Sequence, residues 1–332
     1  MRNRPHPGSI FVHRTNGGGL LRWVHMQART DLEQAVMRTV LWFSQFSHPL
    51  TVFEIWKWLL QPERTYGLGE VYAVLDRSEW LREKLESQDG FYALKGSDIG
   101  RLMGQRQEKF LDAERKFVLL RRAAKYFSLL PAVRCVAAAN TLAWWSTNKD
   151  SDIDLYIVTK PGHIWSTRFW LVVPFLLLGR RPGRGPASRI QDPFCFSFFS
   201  TTSSLNLEEL CLPRDYYMAF WVRSLVPVLD RDRNLDTFQA ENRWVAKTLP
   251  NAQPRVPHHR HGPHRFVGLP IQWKFTEPLF REAQRNRLPA HLREIANLDS
   301  RVVVTDEILK FHDNDRRAQY RDAYEALLTR HL

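Results

Sequence analysis

Two aspartates, Asp152 and Asp154, stand at the start of an apolar segment that reads SDIDLYIV over residues 151–158. The segment has the composition of a β-strand, on which side chains two residues apart share a face, about 6–7 Å apart along the chain. Two carboxylates on one face repel each other unless a cation or a basic side chain lies between them. Since Mg²⁺ prefers carboxylate and phosphate oxygens, the pair predicts a site for Mg²⁺ or Mn²⁺.

The residues before this pair predict a short series of elements. Residues 133–138 are small and apolar and predict a buried strand, the polar pair Asn140-Thr141 predicts a turn, and residues 142–145 can begin a short helix. This order of strand, turn, short helix and SDIDL resembles the nucleotidyltransferase domain of the DNA polymerase β superfamily. The likeness to a bacterial group of proteins with this domain covers most of residues 31–250, including the stretches FSHPLTVFEIW and KPGHIWSTRFWL.

The resemblance implies a site and a reaction. In that family a Gly-Ser turn, roughly a dozen residues before the D-x-D pair, grips a nucleotide triphosphate, and the aspartates hold two magnesium ions. Carried over by position, Asp152 and Asp154 would be the catalytic metal ligands. The nucleotide would be bound by Asn140, Thr141 and Ser151. The implied activity is transfer of NMP from an NTP, with ATP as the expected donor, to a hydroxyl of an unknown acceptor.

The sequence departs from the family pattern at two places. Asn140 stands where glycine is usual, although asparagine tolerates the left-handed backbone region better than most residues. The superfamily usually supplies a third carboxylate from a later strand, but the candidate strand 194–200 contains no acid. Its polar position is Ser197, and the nearest acid, Asp192, precedes it. The alternative function is therefore a catalytically degenerate nucleotide-binding or regulatory protein. A metal-dependent glycosyltransferase, which also uses D-x-D, is disfavoured by the helical segment before the motif.

The N-terminal part predicts a winged-helix-like domain over residues 30–96. Helical periodicity begins at Thr30, a capping box at Thr51 and Glu54 begins a second helix, and a third helix is predicted from Leu68 to Leu85. Two short strands around Asp89-Gly90 would form the wing. Acidic residues on the third helix would repel phosphates, which favours a protein-contact or structural role over DNA binding.

The predicted fold class is α+β, with a polymerase-β-like mixed sheet and flanking helices. We expect a flexible leader at residues 1–29 and a nucleotidyltransferase-like domain at 97–212, which begins with a long basic helix. A mostly helical C-terminal region would follow at 213–332, with a His- and Pro-rich linker near 251–266 and a helix from Tyr216 to Leu229. One short strand-like run is predicted at residues 301–305.

Composition limits the partners and the compartment. The formal net charge of +13 favours anionic partners, so nucleic acid is possible beside a nucleotide. The three cysteines form no CxxC pair, which indicates a reducing compartment, and we expect a cytoplasmic protein. The longest apolar run, residues 169–179, is too short for a transmembrane helix, which needs about 20 residues. It predicts a buried amphipathic helix, with a membrane-surface helix as the alternative.

Overall fold

The computed structural model describes residues 29–180, 191–255 and 274–332. The predicted leader, except Arg29, and the histidines of the predicted linker lie outside these ranges. The N-terminal elements are α1 (Asp31–Ser44), β1 (Leu50–Thr51), α2 (Val52–Lys57), α3 (Leu68–Arg77), α4 (Glu79–Lys84), β2 (Leu85–Gln88) and β3 (Phe91–Leu94). Their strands form a three-stranded antiparallel sheet in the order β1-β3-β2.

Local sequence signals set the bounds of these N-terminal elements. The predicted capping box is confirmed, because the Thr51 hydroxyl accepts from the Glu54 amide while the Glu54 carboxylate accepts from the Thr51 amide. Asp89 and Gly90 both have positive φ and close the β2–β3 hairpin. The prediction of one helix from Leu68 to Leu85 is wrong, because Ser78 adopts an extended backbone and caps a new helix, α4.

The rest of the described chain contains eight α-helices, six β-strands and three short 3-10 helices. The helices are α5 (Ile99–Phe127), α6 (Asn140–Ala143), α7 (Ile164–Leu177), α8 (Tyr216–Ser224), α9 (Asn234–Glu241), α10 (Glu277–Asn286), α11 (Ala290–Ile295) and α12 (Arg317–His331). The strands are β4 (Val133–Ala138), β5 (Ile153–Thr159), β6 (Phe194–Thr201), β7 (Val226–Asp230), β8 (Val302–Val304) and β9 (Ile308–Phe311). The expected α+β class with a mixed sheet is confirmed.

The second sheet has six strands in the order β7-β4-β5-β6-β9-β8. It is mixed, since β5 and β6 run parallel while the other neighbours run antiparallel. Three of its strands, β7, β8 and β9, come from the region expected to be mostly helical. The predicted boundary at residue 212 therefore divides a continuous sheet, because distant chain segments complete it by hydrogen bonds that local sequence does not encode.

The helix predicted from Tyr216 to Leu229 ends early. α8 stops at Ser224, and the residues after Leu225 form the edge strand β7. Val226 and Val228 favour the extended backbone, and Pro227 removes a donor that a central strand would need. The predicted C-terminal strand is present as β8, but its partner β9 has no distinct signal in the sequence.

The two faces of the six-stranded sheet bury separate cores. One face, which includes Ala137, Tyr156 and Phe198, packs in the same core as α1, α2, α8 and α9. The opposite face, which includes Val136 and Ile157, packs against α5 and α7. The face of β5 on which Tyr156 lies packs against Trp221 of α8 and Phe238 of α9, and the N-terminal module (residues 31–94) packs in the same core. Strand alternation places Asp154 on that face.

The apolar run at residues 169–179 lies mostly in α7. Leu171, Val172 and Phe175 are buried against the sheet, as expected for an amphipathic helix, while Leu176 and Leu177 are exposed. Within the described ranges, no helix has the length and apolar character needed to span a membrane.

Candidate metal and nucleotide site

The two aspartates of the motif converge at the start of β5. Asp152 directly precedes the strand and Asp154 is its second residue. Parallel pairing with β6 places Cys195 opposite Asp154. One carboxylate oxygen from each aspartate and the Cys195 sulfur all lie within 4.8 Å of one another. The shared face expected from alternation therefore brings together three groups that could ligate a metal.

The electrostatics of the pair favour a bound cation. Burial, followed by the neighbouring Asp152, raises the pKa of Asp154 to about 6, despite hydrogen bonds from Asn140 and Cys195. Burial also raises the pKa of Asp152, against the opposing effect of Lys116. Ionising both carboxylates thus costs free energy that a divalent ion would offset. Mg²⁺ commonly takes one or two protein carboxylates and fills its remaining positions with water and phosphate oxygens, so the oxygen ligands fit it.

Asn140, at the expected phosphate-binding turn, fixes the orientation of Asp154. Its backbone is left-handed, with φ of 49°, which is the conformation that asparagine tolerates. Its side-chain oxygen accepts from the Trp221 indole at 3.0 Å and from the Tyr217 hydroxyl at 3.3 Å, while its amide bonds Asp154. The amide is therefore held between α8 and β5, and the turn keeps a glycine-like backbone without glycine.

The turn and the carboxylates lie directly together. The amide of Ala139, the residue before Asn140, donates to the Asp154 carbonyl at 3.0 Å. The Thr141 side chain is exposed, and no group in the described ranges hydrogen-bonds its hydroxyl. The Ser151 hydroxyl donates to the Asn148 side chain at 3.1 Å. Asn140, Thr141 and Ser151 all line one cavity of about 270 Å³, so the predicted nucleotide-binding residues share one space.

The residue of β6 that lies beside the two aspartates is Cys195, whereas the sequence pointed to Ser197 as the polar position of this strand. Burial, followed by the charge of Asp154, raises the pKa of Cys195 well above its ordinary value, so this thiol stays protonated. Its sulfur lies 3.3 Å from the Ser197 hydroxyl oxygen, and Ser197 lies 2.9 Å from the His312 ring after β9. In the described part of the chain, no further acid joins this cluster. The site therefore has two carboxylates, and beside them lie the uncharged side chains of Cys195, Ser197 and His312.

Asp192 does not supply the missing acid, because two basic residues of α5 engage it. Arg115 binds it at 2.5 Å and Lys116 at 3.0 Å, and Arg115 is the first cause of the lowered pKa of Asp192. The Lys116 ammonium also donates to the Ser151 carbonyl at 2.5 Å. The sequence predicts a long basic helix here, a pattern typical of a solvated charged face, yet Lys116 is fully buried beneath the site. Its pairing with an acid 76 positions later carries no local signal.

Two other lysines near the motif in sequence, Lys149 and Lys160, form no ion pair with the aspartates in the described ranges. Lys149 is exposed in the turn before β5, and Lys160 is exposed just after the opposite end of that strand. Among the residues that the structure describes, Lys116 is the basic group that acts on both aspartates. No protein-family model, no curated protein and no solved structure matches this chain.

Proposed function

We propose that this protein binds an NTP together with Mg²⁺ or Mn²⁺ and transfers NMP to an acceptor hydroxyl. The observation that carries the proposal is that the Asp152–Asp154 pair lies beside the Asn140-Thr141 turn. Asn140 hydrogen-bonds Asp154, and it lines a cavity together with Thr141. A cation-binding pair beside a space that takes a small ligand is what phosphoryl transfer requires. ATP is the expected donor from the family resemblance.

Each residue of the site would have a separate role in binding. Asp152 and Asp154 would hold the ion, which when bound would neutralise charge on the phosphates. The unbonded hydroxyl of Thr141 would donate to a phosphate oxygen. Asn140 would keep Asp154 in one orientation through its bonds to Trp221. Positioning of this kind supplies much of the rate in phosphoryl transfer, because the protein does little covalent chemistry itself.

A second candidate function is nucleotide binding without transfer. Cys195 favours it, because a protonated thiol in the place of a carboxylate neither accepts a proton from an acceptor hydroxyl nor ligates Mg²⁺ well. In this case the N-terminal module would respond to nucleotide binding, or would present the nucleotide-bound protein to another molecule. Both candidate functions depend on the carboxylate pair, but only the first includes catalytic turnover.

Binding is tested by calorimetric titration of ATP with and without Mg²⁺. We expect Mg²⁺ to tighten ATP binding, and the Asp152→Asn, Asp154→Asn double variant to lose this dependence. Asp150→Asn is the matched control, because Asp150 is an exposed neighbour and loses the same charge. Metal-dependent binding that persists unchanged in the double variant would defeat both candidates.

Turnover then separates the candidates. An NTP labelled at the α-phosphate is incubated with Mg²⁺ or Mn²⁺ and a broad mixture of acceptors, including protein, RNA and small hydroxyl compounds. Transfer predicts label in an acceptor and pyrophosphate in solution, both lost in the double aspartate variant. Tight, aspartate-dependent binding with neither product would assign the nucleotide-binding role.

A further inference from the structure

The cavity at the turn is walled by aromatic rings from two parts of the chain. It lies between the end of α1 with its following residues and the elements α6, α8 and α12. The N-terminal module contributes the rings of Trp42, Phe43 and Phe46. The sheet-bearing part contributes others, among them Trp144, Tyr217 and Tyr320. Aromatic walls of this kind suit a flat ring system.

The polar groups of this cavity extend from the predicted phosphate turn. Asn140, Thr141 and Ser151 form one edge. The His48 ring forms part of another, and no group in the described ranges hydrogen-bonds that ring. Burial, aided by Arg106, lowers the pKa of His48 to about 3, so the imidazole is neutral near pH 7. A neutral imidazole offers one donor and one acceptor to a ligand.

Lys109 on α5 adds a positive charge to the same wall. Arg106, one turn earlier, is paired with Glu54 at 2.6 Å, but Lys109 has no acidic partner in the described ranges. An unpaired ammonium beside aromatic rings suits a ligand that is flat at one end and anionic at the other. With a volume of about 270 Å³, the cavity lies near the lower end for small-molecule sites.

We infer that this cavity holds the base of the nucleotide whose phosphates bind at the Asn140-Thr141 turn, an inference that rests on the proposed function. In this arrangement the N-terminal module forms one wall of the nucleotide site. His48 contacts the polar edge of the base, and Lys109 pairs with a phosphate oxygen. The aromatic rings line a cavity of about 270 Å³ between the N-terminal module and the sheet-bearing part, which is too small for duplex nucleic acid.

The test compares nucleotides with a probe that has phosphates but no base. ATP, GTP, CTP, UTP and inorganic tripolyphosphate are titrated with Mg²⁺ against the full chain, with tryptophan fluorescence as the readout because Trp42 and Trp144 line the cavity. We expect one or more nucleotides to bind at least about tenfold more tightly than tripolyphosphate and to quench the fluorescence. Equal affinity for all five probes would overturn the inference.

Two substitutions separate the base contact from the phosphate contact. His48→Ala is expected to weaken nucleotide binding about fivefold to tenfold and leave tripolyphosphate unchanged, with His48→Gln restoring part of the loss. Lys109→Ala is expected to weaken both kinds of probe about tenfold. His291→Ala and Lys125→Ala are the controls, because His291 is exposed elsewhere and Lys125 is an exposed lysine of the same helix.

The outcomes distinguish this inference from the proposed function. If nucleotide binding depends on Asp152 and Asp154 but ignores His48 and Lys109, the base lies elsewhere and the inference fails alone. If binding is independent of the aspartates, the proposed function fails. The Lys109 side chain is partly exposed and makes no ion pair in the described ranges, so Lys109→Ala should not disturb folding. It therefore tests the cavity even if His48→Ala unfolds the protein.

Discussion

Removing the charge of Asp154 should stabilise the metal-free protein. The pKa of Asp154 is about 6 in the folded chain against 3.8 for an ordinary aspartate, with burial as the main cause and Asp152 as a further one. At about 1.4 kcal/mol for each pKa unit, the ionised carboxylate costs the folded state up to about 3 kcal/mol. Because the side chain is partly exposed, we expect Asp154→Asn to recover about 1–3 kcal/mol at pH 8.

The sign of this effect with pH follows from the raised pKa. The folded protein holds the proton of Asp154 more tightly than the unfolded chain does, so ionisation destabilises the fold as pH rises from about 4 to above 6. Below pH 4 the carboxyl is protonated in both states, and the substitution gains nothing. The advantage of Asp154→Asn should therefore grow with pH across this window and stay constant above it.

The assay is urea denaturation in the presence of EDTA at pH 4, 6 and 8. Asp150→Asn is the control, because this exposed neighbour loses the same charge without burial. Adding Mg²⁺ and ATP should then stabilise the original protein and leave Asp154→Asn unchanged, since ligands stabilise the state that binds them. A variant that is less stable than the original at pH 8 without metal would refute the argument that the carboxylate pair is under electrostatic strain.

Two further substitutions test the surroundings of the pair. Cys195→Asp would place a third carboxylate opposite Asp154. If the proposed function holds, we expect about tenfold tighter Mg²⁺ binding and faster transfer of label from an NTP. Cys195→Ser is the control, and unchanged metal affinity in Cys195→Asp would contradict the proposed metal site. Lys116→Met leaves Asp192 paired with Arg115 alone and removes one partner of Asp112. We expect it to lower the free energy of unfolding in urea by about 3–5 kcal/mol, and the control Lys125→Met to change it little. A loss below about 1 kcal/mol for Lys116→Met would count against a buried ion network.

Elements with strong local signals could be predicted from the sequence. The strand at residues 133–138, the hairpin at Asp89-Gly90 and the capping box at Thr51 agree with the structure, because each depends on neighbouring residues. The convergence of Asp152 and Asp154 follows from alternation along one strand. These features need no knowledge of how distant segments meet.

The features that local patterns did not reveal depend on contacts between distant segments. Cys195 reaches Asp154 only because β5 and β6 pair in parallel with this register. His312 reaches Ser197 only because β9 adds to the outer edge of β6. Periodicity also wrongly predicted residues 226–229 as helix, since their extended form is selected by pairing with β4. The paired strands are far apart in the sequence, and local propensity does not specify such pairings.

The two departures from the family pattern act on the same carboxylate. Asn140 donates a neutral hydrogen bond to Asp154, and Cys195 places a neutral thiol where a third negative charge is expected. The cluster then carries about two negative charges, and buried Lys116 offsets part of them. Under the proposed function, that charge would balance one divalent cation and would be too small to hold two ions in the absence of bound nucleotide. A second ion, if the reaction uses one, would therefore enter bound to the triphosphate, whose own charge supplies the missing ligands.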